Sequence, residues 1–184
     1  MKTMGRTSSP EKVQLFCGAI YSPQADMERA KADLEAAFGP IFFSSEVFDF
    51  DFTEYYFGEM GAGLKKIFFA FENLIEQDFI SEAKLTANEI EERHSKLSGD
   101  GVALLRTVNL DPGYLSSAKV VLPTTKDNCH RIYLKDGIYA EITLSYTKPV
   151  FKPLSWTYPD YATPEYISFF NELRARYRNK LPKM

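Results

Sequence analysis

Hydrophobic positions change their period several times along the chain, and each change predicts an element. Val13 to Tyr21 is a short apolar run with Gly18 inside it, the pattern of a buried strand. Met27, Ala30, Leu34, Ala37 and Phe38 then recur at helical spacing. Ser22 is placed to cap this helix and Pro23 to open it, while Gly39 and Pro40 end it. Ile41 to Thr53 alternates: Phe48, Phe50 and Phe52 point one way, and Val47, Asp49, Asp51 and Thr53 the other. A glycine-bearing, aromatic and acidic loop follows from Thr53 to Gly63. Leu64 to Ile75 fits a helix by spacing and a strand by aromatic content, and the order of its neighbours favours a strand. Asp78 to Ser95 reads as a second amphipathic helix, with Ile80, Ala83, Ala87, Ile90 and His94 on one face and Gly99 and Gly101 at its end.

The second half reads as mostly extended. Val102 to Leu110 predicts a strand that Asp111-Pro112-Gly113 breaks as a turn. Tyr114 to Leu122 suits either a short helix or a strand. Cys129 to Tyr146 is the clearest hairpin, with a three-residue turn at Lys135-Asp136-Gly137. That register pairs Leu134 with Ile138, Ile132 with Ala140, and Arg131 with Glu141. One face then carries Ile132, Leu134, Ile138, Ala140 and Ile142, and the other Arg131, Tyr133, Tyr139, Glu141 and Thr143. Lys148 to Ala162 is an extended, proline-bearing segment. Thr163 caps a last helix that Pro164 opens, with Tyr166, Phe170, Leu173 and Tyr177 as its inner stripe. The order β-α-β-β-α-β predicts an α+β two-layer sandwich with a ferredoxin-like core, an added β-hairpin and a C-terminal helix. Residues 1–11 read as a flexible tail, and 12–184 as one α+β domain.

Composition narrows the function classes. Of 184 residues, 45% are hydrophobic and 26% charged, which suits a soluble chain with a real core. The net charge of -3 supplies no global basic field for nucleic acid. Cys17 and Cys129 form no motif and read as free thiols of a reducing compartment; with two histidines in the chain, a zinc site has little material. The longest purely apolar run, Ile67 to Phe71, is too short to span a bilayer, and Met1 to Lys12 holds no apolar stretch of signal-peptide length. A cytoplasmic location without membrane attachment is the expectation.

Several segments carry a resemblance. They are Asn109-Leu110-Asp111-Pro112-Gly113-Tyr114, Thr124-Thr125-Lys126, His130-Arg131-Ile132-Tyr133, Gly137-Ile138-Tyr139-Ala140-Glu141 and Trp156-Thr157-Tyr158-Pro159-Asp160-Tyr161. Phe48-Asp49-Phe50-Asp51-Phe52-Thr53, Tyr55-Tyr56 and Glu59-Met60-Gly61 join them. Together they resemble the bacterial and archaeal domain-of-unknown-function family 4416 (DUF4416), from about Val13 to the last helix. The resemblance implies one domain of this length. It brings no reaction, cofactor or catalytic residue.

Chemistry must therefore be read from the residues. Asp49 and Asp51 sit two apart on one strand face, about 7 Å along the chain. With Glu59 they offer oxygen ligands to a divalent metal, magnesium or calcium, and a general acid and base. A solvated strand face produces the same alternation. Thr124, Thr125, Lys126, His130 and Arg131 suit an anionic small molecule of phosphate or nucleotide type, with Tyr133, Tyr139 and Glu141 beside them. The plainer alternative is a polar turn with Arg131 paired to Glu141 across the hairpin. His130 and His94 read as core histidines. Gly58 to Lys65 misses the phosphate-loop pattern, since its lysine is displaced by one and the Ser/Thr is missing. A second reading is a non-catalytic protein- or RNA-interaction module. It would use the aromatic segment 156–161 and the basic last helix with Arg174, Arg176, Arg178, Lys180 and Lys183.

Overall fold

The computed structural model describes residues 5, 7–98, 101 and 104–182. The helix end expected at Gly99, the strand start at Val102 and the basic Lys183 lie outside the described residues, as do residues 1–4 and 6 of the expected tail.

The elements in chain order are β1 (Val13–Tyr21), α1 (Met27–Phe38), β2 (Ile41–Ser44), β3 (Phe48–Asp49), α2 (Phe57–Met60), β4 (Lys65–Ile75) and α3 (Ile80–Arg93). Then come β5 (Lys96–Leu97), β6 (Leu104–Leu105), β7 (Val108–Leu115), β8 (Lys119–Thr124), β9 (Ile132–Lys135), β10 (Ile138–Thr147), β11 (Val150–Pro153) and α4 (Pro164–Lys180). The main sheet runs β11-β10-β8-β7-β1-β4-β2, with β3 also on β4 and β9 also on β10. Its neighbours are antiparallel throughout. Within it, β7-β1-β4-β2 reproduces the 4-1-3-2 order of a ferredoxin-like core, and α1 and α3 cover one face. Leu64 to Ile75 is a strand, as its neighbours require.

Alternation along β1 assigns the two faces. Leu15, Cys17 and Ala19 pack with Ala30 and Leu34 of α1 and with Ala83, Ala87 and Ile90 of α3. Phe16 points the other way, into Phe68, Leu122 and Leu144, and α4 covers this second face with Tyr166, Phe169, Phe170, Leu173 and Tyr177. Thr163 caps α4 and Pro164 opens it, as expected.

The strand expected from Ile41 to Thr53 reduces to the short β2 and β3, so Asp51 lies beyond the strand that holds Asp49, and three further local expectations need correction. The first helix starts at Met27, not at Ser22-Pro23, because Asp26 supplies the cap and accepts from the Arg29 N–H at 3.1 Å. Asp111-Pro112-Gly113 is not a turn: β7 runs straight through it, paired to Asp111↔Gly18, Pro112↔Cys17 and Gly113↔Phe16 of β1. Proline is tolerated because β8 joins β7 only at Tyr114↔Val121 and Leu115↔Val120, so the edge that Pro112 faces has no strand beside it. Gly113 is required for close packing, since a Cβ there would overlap the Phe16 ring and Leu122.

The hairpin turn is the third correction. Asp136 and Gly137 have φ of 53° and 76°, the signature of a two-residue turn, and Ile138 pairs with Lys135 rather than Leu134. A register shift between Ile138 and Tyr139 then restores Ala140↔Ile132 as expected. The faces differ from expectation too. Glu141 and Thr143 are buried, whereas Ile132, Leu134 and Ile142 are exposed. No described helix is long and apolar enough to cross a membrane.

Candidate functional site

The unpaired stretch of β7 is where the site begins. Leu110 turns its peptide toward the open edge, and two side chains of α3 stand in for the missing strand. The Leu110 N–H donates to Glu91 Oε1 at 2.7 Å, and Lys84 Nζ donates to the Leu110 carbonyl at 3.0 Å. Lys84 also reaches Asp111 Oδ1 at 3.1 Å, so it links the helix face of the sheet to the opposite face. Asn109 Nδ2 donates to Asp111 Oδ2 at 2.7 Å. Arg106 closes the network: it forms a bidentate pair with Glu59 of α2 (2.8 and 2.7 Å) and donates to Glu91 Oε2 at 3.0 Å and Asn109 Oδ1 at 2.9 Å.

A second buried pair stands two strands over, beyond β1. Lys66 lies opposite Ile20, which lies opposite Asn109, so Lys66 and Asn109 share a sheet face. Lys66 is 2% exposed and donates to Asp160 Oδ2 at 2.6 Å. Its ammonium lies 4.5 Å from the centre of the Tyr161 ring and 5.2–5.4 Å from those of Phe68, Tyr166 and Phe50. Gly18 makes room for this, because a Cβ there would press on the Phe68 ring and Lys66 Cε.

Of these groups Lys66, Lys84, Glu91, Arg106, Asn109, Asp111, Asp160 and Tyr161 form the floor of one cavity of about 750 Å³. Phe50, Phe52, Tyr55 and Tyr56 form one wall, Asn88 and Glu92 of α3 extend another, and Thr124, Thr125, Lys126, Arg131, Glu141 and Tyr158 line the mouth. Arg131 Nε donates to the buried Glu141 Oε2 at 2.8 Å, Nη1 to the Lys126 carbonyl at 2.9 Å and Nη2 to the Tyr158 hydroxyl at 2.9 Å. That leaves N–H groups on both Nη atoms without a described acceptor. Lys126 Nζ donates to the Tyr55 hydroxyl at 3.1 Å and has no carboxylate partner among the described residues. Glu141 Oε1 and the Tyr161 hydroxyl are buried without a described partner.

The electrostatics of the floor separate its two carboxylates. Burial, the largest influence, pushes the Glu91 carboxyl up, and the nearby Lys84 and Arg106 only partly offset it. Burial acts on Asp111 in the same sense, but the Lys84 and Lys66 ammoniums and hydrogen bonds from Lys84 and Asn109 hold it below the usual range. For Lys84, burial opposes the charged form, yet Asp111 and Glu91 raise its pKa overall. Hydrogen bonds from Arg106 hold the Glu59 carboxyl low.

The model of the family described as Domain of unknown function (DUF4416) matches residues 11–177. The chain belongs to this family. No curated protein and no solved structure matches it. In this DUF4416 member, Lys126, Arg131 and Glu141 of the expected anion site do meet at the cavity mouth. His130 stands behind them, with Nε2 3.1 Å from Glu141 Oε2 and its ring stacked on Trp156. Tyr133 and Tyr139 pack edge-on against each other and do not line the cavity. His94 is a satisfied core histidine, 2.8 Å from Asp33 Oδ2.

The expected metal ligands are dispersed. Asp49 is exposed and pairs with Lys65, Asp51 is exposed outside the cavity lining, and Glu59 is bound by Arg106. Among the described residues, no group of three or more His, Cys, Asp or Glu side chains is placed to hold a metal ion. The basic side of α4 is largely engaged within the chain. Arg174 donates to the Ser117 carbonyl and lies over Tyr146, Arg176 pairs with Glu172, and Lys180 donates to the Glu72 carbonyl.

Sequence reasoning missed the floor. Lys84, Asn88 and Glu91 follow i, i+4, i+7 along α3, directly beside its apolar stripe. That spacing is a legible signal for a second, polar, inward-facing stripe. Lys66, set among β4 aromatics, is another.

Proposed function

We propose that this protein binds a small molecule bearing a phosphate-type anion, with Lys126 and Arg131 gripping the anion at the cavity mouth. The observation that carries this reading is the state of those two cations. Lys126 has a neutral hydroxyl as its described partner, and Arg131 holds N–H groups in reserve on both Nη atoms. Thr124, whose hydroxyl accepts from the Lys126 N–H at 3.2 Å, and Thr125 line the same mouth, so a tetrahedral anion finds charge with hydroxyl-bearing residues beside it. The cavity volume lies within the range of about 300–1,000 Å³ usual for small-molecule sites. Two free thiols, one of them exposed, fit a reducing, cytoplasmic setting.

Thermal unfolding against inorganic phosphate, sugar phosphates and nucleotides tests the reading, because a native-state ligand raises the midpoint by mass action. Lys126→Ala is the clean variant. Lys126 is exposed, so its removal changes the unliganded stability by about 0.5 kcal/mol or less, while the ligand-induced rise is lost. Arg131→Lys complements it, keeping a charge beside Glu141 while removing the fork. Cooperative unfolding that no anion shifts would overturn the proposal and direct attention to a macromolecular partner.

A further inference from the structure

Charge is distributed unevenly along the cavity. At the floor Lys66 faces Asp160, Lys84 faces Asp111, and Arg106 faces Glu91. Arg106 also holds Glu59, so the floor carries no net positive charge. At the mouth Lys126 and Arg131 stand against the buried Glu141, and the one further lining carboxylate, Glu92, is exposed on the α3 wall. A polyanion reaching the floor would meet Asp111, Asp160 and Glu91 in a setting of low dielectric. A single anionic group fits at the mouth and nowhere deeper.

The remaining interior suits a neutral, planar, hydrogen-bonding body. Phe50 and Tyr56 supply aromatic surface on which a heteroaromatic ring stacks favourably, and the exposed Phe52 and Tyr55 extend that wall to the mouth, where Lys126 lies over the Tyr55 ring at 4.6 Å. Asn88 lines the cavity half-buried, and its amide has no described partner. It therefore offers one donor edge and one acceptor, the complement of a base edge. Lys84 spends its hydrogen bonds on Leu110 and Asp111, which leaves a third N–H.

Building on the anion-binding reading above, we infer that the ligand is a nucleoside monophosphate, its phosphate at Lys126 and Arg131 and its base inside against Asn88 and the aromatic wall. Two features of the cavity thus act on two parts of one molecule, and each is separately removable.

The test is titration of the full chain with five kinds of probe. These are the adenosine, guanosine, cytidine and uridine 5′-monophosphates, the matching nucleosides, the matching triphosphates, glucose 6-phosphate and inorganic phosphate. At least one monophosphate is expected to bind about tenfold or more tighter than its nucleoside, its triphosphate, glucose 6-phosphate and phosphate. Asn88→Ala should bring that monophosphate down to the level of inorganic phosphate, and Lys126→Ala should bring it down to the level of the nucleoside. Both sites are exposed or half-buried, and a cooperative unfolding transition shows that each variant is folded. Equal binding of phosphate, glucose 6-phosphate and all monophosphates, unaffected by Asn88→Ala, overturns this inference and leaves the anion site standing. Tighter triphosphate binding overturns the charge argument. Binding of no anionic probe overturns both.

Discussion

Lys66 is a cation almost wholly removed from water, with one carboxylate and four aromatic faces around it. Removing one partner of such a pair strands the other. Lys66→Ala should therefore cost about 3–5 kcal/mol by leaving Asp160 buried and uncompensated, whereas Lys66→Met with Asp160→Asn should cost far less. Urea unfolding of the single and double variants checks this, and equal losses would contradict the pairing. The floor carboxylates give opposite pH signatures. Asp111 has a lowered folded pKa, so its contribution is present above the usual carboxylate value of about 3.9 and is lost as pH falls through the folded value. Glu91 has a raised one, so its contribution is present below the unfolded value of about 4.3 and is lost as pH rises through the folded value. Asp111→Asn should flatten the acid limb of a stability–pH curve, and Glu91→Gln should remove a fall that lies above the usual carboxylate range. Denaturation midpoints between about pH 3 and pH 7 read both. At this scale the mouth was legible because Lys126, Arg131 and Glu141 lie close together in the chain. The floor was not, because its charges come from β4, α3, β7 and the turn before α4, and only folding joins them.

Among the elements, β7 carries the most information. A proline and two small or polar neighbours in sequence ordinarily signal a turn, and local chemistry alone supports that reading. What overrides it is the strand fork: β8 leaves β7 after two paired positions, so Pro112 meets no ladder partner and Lys84 and Glu91 bind Leu110 instead. Gly113→Ala should destabilise by about 1–3 kcal/mol through overpacking against Phe16 and Leu122, although Gly113 needs no left-handed backbone. Gly137→Ala meets open space but sits at φ 76°, so a smaller loss of about 1–2 kcal/mol is expected from backbone strain alone. Chemical denaturation of the two variants separates packing from strain. The helices and β4 were readable because burial enforces their periodicity. The hairpin faces were misread because β9 is exposed along its whole length, and no core pressure imposes alternation there.

In the whole molecule, the ferredoxin-like order places α1 and α3 on one face, and the meander through β8, β10 and β11 widens the sheet so that α4 can cover the other. The cavity opens where these two parts join, between the core strand β7 and the added strands. The topology was within reach of the sequence, since β-α-β-β-α-β recurs as a unit. The fork was not, because it depends on where β8 stops pairing. Calorimetric titration of the wild type and Lys126→Ala with the phosphate-bearing panel is the decisive test of the proposed anion grip at the mouth of this cavity. Saturable one-to-one binding in the wild type, weakened about tenfold or more in an equally stable Lys126→Ala, is the expected result. Binding that survives the substitution unchanged, or no binding in the wild type, would rule out an anion site at Lys126.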